Sequence, residues 1–249
     1  MAERSAPPDA FGRAAEEYEL GRPEWPAELI DQVGLPHDAE VLDLGAGTGK
    51  LTRLLVSRFA RVVAVEPDDA MRAVLERVVP KAEAYAGAAE AIPLPDASVD
   101  AVFSAEAFHW FASPEVVGEI GRVLRHGGAF AFVWNIPEGE MEPEFPEEAD
   151  RLLDEAFAKG GAPGLPKVLS GEWRAAFEGS RFGDLHEAEL ERWIEQTRDQ
   201  LVAQLLSISS IAALSDDERR DFGERFGELV PDVRWRSRYR TVAYWTRLG

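Results

Sequence analysis

The 249-residue chain contains no cysteine, which excludes disulfides and thiolate metal sites and leaves the redox compartment unread. Histidine is nearly as scarce. His37, His109, His126 and His186 stand far apart, without the close His/Asp/Glu spacing of a helix-borne metal site, so no metal is expected. No apolar run approaches the roughly 18 residues that a transmembrane helix needs. The opening Met1-Ala2-Glu3-Arg4-Ser5 has no apolar core of the kind a signal peptide carries. The expected setting is cytoplasmic, with no membrane partner. Positive charge is short as well: 27 lysines and arginines face 46 aspartates and glutamates, for a net charge of −19. Only Lys50, Lys81, Lys159 and Lys167 are lysines. Phosphate contacts dominate nucleic-acid affinity, so a chain this acidic is not expected to bind DNA or RNA. Its plain consequence is solubility. The locally basic Arg234-Trp235-Arg236-Ser237-Arg238-Tyr239-Arg240 reads more simply as alternation on a final strand than as an RNA contact.

What is present is ordinary globular composition, 45% hydrophobic and 29% charged, in a length that suits one α/β domain. Up to residue 37 the chain is polar and rich in proline. Phe11–Leu20 suits a short helix, Arg22-Pro23-Glu24-Trp25-Pro26 a turn, and Pro26 the start of a second helix. From residue 40 strands and helices alternate. Val41–Leu44, Arg61–Val65, Ala82–Ala86, Val99–Ser104 and Ala129–Trp134 read as strands. Helical spacing follows in Leu51–Phe59, Ala70–Val79 and Pro114–Leu124, and Gly127-Gly128 makes a turn. Such alternation implies right-handed βαβ units and a parallel sheet. After Asn135 the pattern breaks in a stretch of prolines and glutamates. Helices are expected near Ala149–Lys159, Arg198–Ala213 and Asp216–Leu229, and strands at His186–Ile194 and Thr241–Leu248. The chain then divides into a cap segment (1–37), a cofactor-binding core (38–135), insertion helices with sheet completion (136–230) and a final strand (231–249). Residues 136–185 are a candidate lid.

Open parallel sheets bind ligands beyond the carboxyl ends of their strands. The first strand-to-helix turn holds Gly45, Gly47 and Gly49, where glycine lets the backbone turn tightly and approach a ligand. Glu66 ends the second strand, about 20 residues on, where a carboxylate can accept bonds from both ribose hydroxyls. Together they imply an adenosine-containing cofactor. The spacing Gly45-x-Gly47-x-Gly49-Lys50 departs from the dinucleotide G-x-G-x-x-G, and no Walker loop is present. Asp43, two residues before the first glycine, disfavours a pyrophosphate but suits an ammonium and a sulfonium, both of which S-adenosylmethionine carries. A nicotinamide-dependent oxidoreductase and a non-catalytic S-adenosylmethionine-binding protein are the alternatives.

Val41-Leu42-Asp43-Leu44-Gly45-Ala46-Gly47-Thr48-Gly49 resembles motif I of the class I S-adenosylmethionine-dependent methyltransferases, and Val62-Val63-Ala64-Val65-Glu66-Pro67 resembles the next motif. Gly87-Ala88-Ala89-Glu90-Ala91-Ile92-Pro93-Leu94-Pro95-Asp96-Ala97-Ser98-Val99-Asp100 is similar to the family segment that covers adenine, although many relatives have Asp where this chain has Ala88. The resemblance implies a Rossmann-like α/β fold: a mostly parallel seven-stranded sheet, helices on both faces, and a C-terminal helical and loop insertion. It implies a cofactor site made of Asp43, Gly45, Ala46, Gly47, Thr48, Gly49, Glu66, Pro67, Met71, Ala88, Ala89, Glu90 and Ser104. Tyr18-x-x-x-Arg22-Pro23-x-x-Pro26 and Ala107-Phe108-His109-Trp110-Phe111 resemble the small-molecule branch called methyltransferase type 11, which includes trans-aconitate methyltransferase-like proteins. In that branch Tyr18 and Arg22 would reach the cofactor, the planar fork of Arg22 pairing with its carboxylate; otherwise they form a packed surface turn.

Methyl transfer from a sulfonium is an in-line displacement that depends chiefly on positioning. A base is needed only where the acceptor must lose a proton. His109 is the first candidate base, or else part of an aromatic pocket wall, and Glu106 the second, or else a solvated loop acid. The strand end Ser104-Ala105-Glu106-Ala107 lacks the Asn/Asp-Pro-Pro-aromatic pattern of enzymes that methylate base or glutamine amino groups. A small-molecule acceptor is therefore expected; its identity, the attacked atom and the oligomeric state stay open.

Overall fold

Apolar runs that end in glycine or polar residues form strands, and the amphipathic stretches between them form helices, in a computed structural model that describes residues 12–160 and 164–249. Expectations for Phe11 and the residues before it, and for 161–163 of the glycine- and proline-rich loop, lie outside the described residues. Seven strands make one sheet: β1 Glu40–Leu44, β2 Arg61–Val65, β3 Glu83–Tyr85, β4 Val99–Ala105, β5 Leu124–Glu142, β6 His186–Gln196 and β7 Trp235–Arg247. Their order is β3-β2-β1-β4-β5-β7-β6. The first five strands pair parallel throughout: β1 with β2 and β4, β2 with β3, and β4 with β5. Leu248, just past β7, donates to Gly128 O and accepts from Gly127 N at the start of β5, so β7 enters antiparallel. The expected mostly parallel, seven-stranded α/β sheet is present. Because β2 and β3 lie on one side of β1 and β4 on the other, strand order reverses between β1 and β4. The carboxyl ends of those two strands form the switch-point crevice.

The chain forms two compact units. The sheet unit comprises Glu24–Ile136, Lys167–Leu190 and Thr241–Gly249. Its core includes Val41, Leu42, Val63, Val102, Phe103, Phe130 and Phe132, all buried. Burying each such side chain contributes about 1.5–3 kcal/mol. Helix Asp69–Val78 is capped by Asp68, whose carboxylate accepts from Ala70 N and Met71 N, and it buries Met71, Val74 and Leu75. Helix Pro114–Val123 has proline in its first turn and Ser113 as its cap, and it buries Val116, Val117 and Ile120. Within the expected insertion, the 3-10 turn Glu172–Phe177 packs Trp173 and Phe177 on Phe108 and Phe132.

The helical unit comprises Met1–Pro23, Pro137–Pro166 and Glu191–Arg240. Leu152, Leu201, Ile211, Phe222, Phe226 and Trp235 form its core. Capping boxes start helices Arg198–Leu206 (Thr197 with Gln200) and Asp216–Leu229 (Ser215 with Glu218). Two expectations change here. The stretch after Asn135 was expected to break the sheet, yet β5 continues to Glu142. Glu138, Glu140 and Glu142 alternate along it and pair with Arg240, Arg238 and Arg236 of β7. Cross-strand charge pairs of this kind support a ladder that the prolines alone argue against. The expected helix Arg198–Ala213 is two helices, ending at Leu206 and resuming at Ser209. At the break Ser207 Oγ donates to Gln204 O, a local bond that competes with helix continuation.

Candidate cofactor site

The glycine loop leaves the carboxyl end of β1 at the switch point. Gly45 and Gly47 both have positive φ, +70° and +57°, which glycine alone adopts without strain. A Cβ on Gly45 would lie 2.8 Å from Ala107 Cβ and 3.3 Å from Phe111 Cε1, so the segment after β4 packs directly on the loop backbone. Nothing lies within 4 Å of a Cβ built on Gly47, which faces open space. Glu66 reaches back from the end of β2. One carboxylate oxygen accepts from Gly47 N at 2.8 Å and the other from Asp68 N at 3.0 Å. Glu66 therefore ties the glycine loop to the loop after β2, and each of its oxygens retains a lone pair for a further donor.

Asp43 is 1% exposed, inside β1 two residues before the loop. One of its oxygens accepts from Thr52 Oγ1 at 2.6 Å; the other, Oδ1, is buried with no hydrogen-bond partner among the described residues. Burial pushes its carboxyl up to about 7, against the Thr52 hydroxyl, which pulls it down, and with Glu66 adding to the rise. Burial also raises Glu66, opposed by the N–H donors of Asp68 and Gly47. Two acids at one crevice, with a carboxylate oxygen left unpaired, make a site that gains by taking a cation and repels a pyrophosphate.

Beside Glu66, its backbone N donates to Tyr85 O at the end of β3, and a Cβ on Gly87 would lie 3.1 Å from Val65 Cγ1. This holds the turn Ala88–Ala91, closed by Ala91 N donating to Ala88 O, next to the acid. In it Ala89 is buried while Ala88 and Glu90 are exposed. Pro67 is exposed and Met71 is 4% exposed. Ala46, Thr48 and Gly49 of the loop are buried. Ser104 is buried in β4, and its Oγ has no partner among the described residues.

Past β4, Glu106 has φ +53°, a left-handed conformation that costs a non-glycine residue about 1–3 kcal/mol. Its N donates to Val133 O, and its carboxylate accepts from Asn135 N, which holds it against the middle of β5. His109 lies in the short helix Phe108–Phe111. Its Nδ1 accepts from the indole Nε1 of Trp134 at 3.0 Å. Burial, with the Lys167 charge adding, pushes its imidazole down to about 3. A histidine in that state is neutral, and its Nδ1 lone pair is already engaged.

The structure thus gathers Asp43, the 45–49 loop, Glu66 and the segment after β4 at one crevice. Tyr18 and Arg22 fall in the helical unit. There Arg22 Nε donates to Ser207 Oγ at 2.9 Å and Nη2 to Ser207 O at 2.8 Å, with the guanidinium 5.4 Å from the Tyr18 ring centre. Phe111 belongs to the expected aromatic wall; sequence reasoning passed over Thr52, Trp134 and Lys167. For Trp134 a signal existed: Phe130, Phe132 and Trp134 alternate along β5 and so share one face. Lys167 and Thr52 had none.

Residues 42–132 match the family model described as a methyltransferase domain. An uncharacterized methyltransferase of Mycobacterium tuberculosis is 52% identical over 127 residues, 51% of this chain and 52% of its own length. The chain therefore matches about half the length of that relative. An uncharacterized methyltransferase-like protein of Schizosaccharomyces pombe is 32% identical over 222 residues, 87% of this chain and 84% of its own. Among solved structures, a candidate type II methyltransferase of Anaeromyxobacter dehalogenans superposes with a TM-score of 0.60 at 28% identity, covering 92% of this chain and 97% of that one.

Proposed function

The chain belongs to the methyltransferase family, and on that premise we propose that it is a class I enzyme that transfers the methyl group of S-adenosylmethionine to a small-molecule acceptor. The observation that carries this reading is the pair of buried acids around the glycine loop. Asp43 offers an unpaired carboxylate oxygen to the ammonium, and Glu66 offers its remaining lone pairs to the ribose hydroxyls. Backbone of Gly45–Gly49 borders the ligand, with Thr48 and Ala46 buried behind it. We assign Pro67, Met71 and the turn Ala88–Glu90 to the adenine and Ser104, buried at the end of β4, to the crevice. When bound, S-adenosylmethionine supplies an activated methyl group. What the protein supplies is position: the glycine loop, Asp43 and Glu66 hold the donor end, and the Glu106–Phe111 segment stands where an acceptor would approach. The acidic chain supports a small-molecule acceptor over nucleic acid, and no helix among the described residues is long and apolar enough to cross a membrane. A cytoplasmic setting fits both.

Titration calorimetry of the purified chain with S-adenosylhomocysteine and with NADH tests the reading. Binding of S-adenosylhomocysteine without NADH is expected; NADH binding without S-adenosylhomocysteine overturns it.

A further inference from the structure

An indole N–H is a donor only, so the contact between Trp134 Nε1 and His109 Nδ1 assigns the histidine tautomer: Nδ1 accepts, and the ring hydrogen sits on Nε2. Trp134 is 1% exposed and cannot turn away without leaving its N–H unpaired in the core. The imidazole is further held by the rings of Trp110, at 4.8 Å between centroids, and Trp134, at 6.1 Å. Among the described residues Nε2 has no protein partner. Lys167 lies alongside, its Nζ 4.9 Å from the centre of the Trp110 ring. In a chain with 46 acidic residues, the ion pairs found among the described residues do not include this lysine. The same helix that carries His109 and Trp110 packs Phe111 on Gly45, so this cluster borders the glycine loop. His109 and the Lys167 ammonium thus both lie against the Trp110 indole.

We propose that His109 Nε2–H and the Lys167 ammonium form a subsite that binds a carboxylate of the methyl acceptor, with His109 serving as a neutral hydrogen-bond donor and not as a base. One ammonium and one neutral donor balance a single negative charge, which favours a carboxylate over a doubly charged phosphate. Burial and the neighbouring lysine both disfavour a charged imidazole, in keeping with the donor role. The proposal rests on the methyl-transfer reading and names its substrate class.

The test uses the full chain, labelled with nitrogen-15 in histidine and saturated with S-adenosylhomocysteine, and follows the ring resonances while sodium acetate, acetamide or inorganic phosphate is added. His109 is assigned through His109→Gln. Expected are an Nε2–H tautomer that does not titrate between about pH 5 and 8, and a saturable shift with acetate but not acetamide. Acetate affinity should fall at least tenfold in Lys167→Met and in His109→Phe. It should be largely kept in His109→Gln, whose amide still donates but cannot act as a base. An Nδ1–H tautomer, a titration near neutrality, a response to phosphate and not acetate, or equal loss in His109→Gln and His109→Phe would each overturn it. Calorimetry on the same sample separates the two levels. S-adenosylhomocysteine binding without an acetate response removes the subsite alone, and absence of S-adenosylhomocysteine binding removes the reading beneath it as well.

Discussion

Replacing Asp43 by asparagine should flatten the dependence of stability on pH in the ligand-free protein. In the folded chain burial lifts the Asp43 carboxyl from 3.8 to about 7. Between those values the folded state holds a proton that the unfolded state has released. Stability therefore falls as pH rises through that window, and the loss is complete above about 7. A shift of roughly three units, at about 1.4 kcal/mol each, is worth about 4 kcal/mol across the window. Asp43→Asn is close in shape, keeps an acceptor for Thr52 Oγ1, and carries no titrating group. Its own cost, an amide N–H₂ facing the position where Asp43 Oδ1 now has no partner, is independent of pH. The quantity to read is thus the difference between two pH profiles and not either stability alone. For a chain of this size 1 kcal/mol corresponds to about 2–4 °C in Tm, so the Tm of the variant minus that of wild type should rise by about 8–16 °C from pH 4 to pH 8. Thermal melts of both proteins without ligand, in matched buffers, measure it. Parallel profiles would refute the argument that Asp43 is a buried, under-paired acid. A companion titration should show weaker S-adenosylhomocysteine binding by Asp43→Asn at pH 8, since a charged hydrogen bond typically contributes about 1.5–3 kcal/mol.

Glu66→Ala should weaken S-adenosylhomocysteine binding by about 1–3 kcal/mol and also lower Tm, because Gly47 N–H and Asp68 N–H lose their acceptor; unchanged affinity in calorimetry would remove the ribose assignment. Gly45→Ala should destabilise by about 1–3 kcal/mol, since its φ is +70° and its Cβ would meet Ala107 Cβ at 2.8 Å. Gly47→Ala, with φ +57° but open space around the Cβ, should cost only about 1–2 kcal/mol of backbone strain. Urea unfolding of the two variants side by side checks the contrast, and equal losses would mean that the segment after β4 does not press on the loop.

The sheet and its loop were legible because their signals are local. Val41–Leu44 and Arg61–Val65 are short apolar runs buried on both faces, and a fully buried parallel strand has little choice of sequence. The glycines, Asp43 and Glu66 sit at fixed distances along the chain from those strands, so βαβ geometry alone brings them to one crevice. What failed locally was decided by pairing at a distance. Prolines argued against a strand beyond Asn135, but arginines a hundred residues later in β7 draw Glu138, Glu140 and Glu142 into the ladder.

The sequence by itself determined the α/β alternation, the glycine turn and its acids, since spacing and burial pattern are properties of neighbours along the chain. Only the tertiary structure decided the ionisation of those groups. Asp43 is raised because β2 and β4 close around it; His109 is neutral because burial and the Lys167 charge disfavour its charged form, and its proton sits on Nε2 because Trp134, twenty-five residues on, donates to Nδ1. Desolvation and hydrogen-bond direction depend on which atoms surround a group in space.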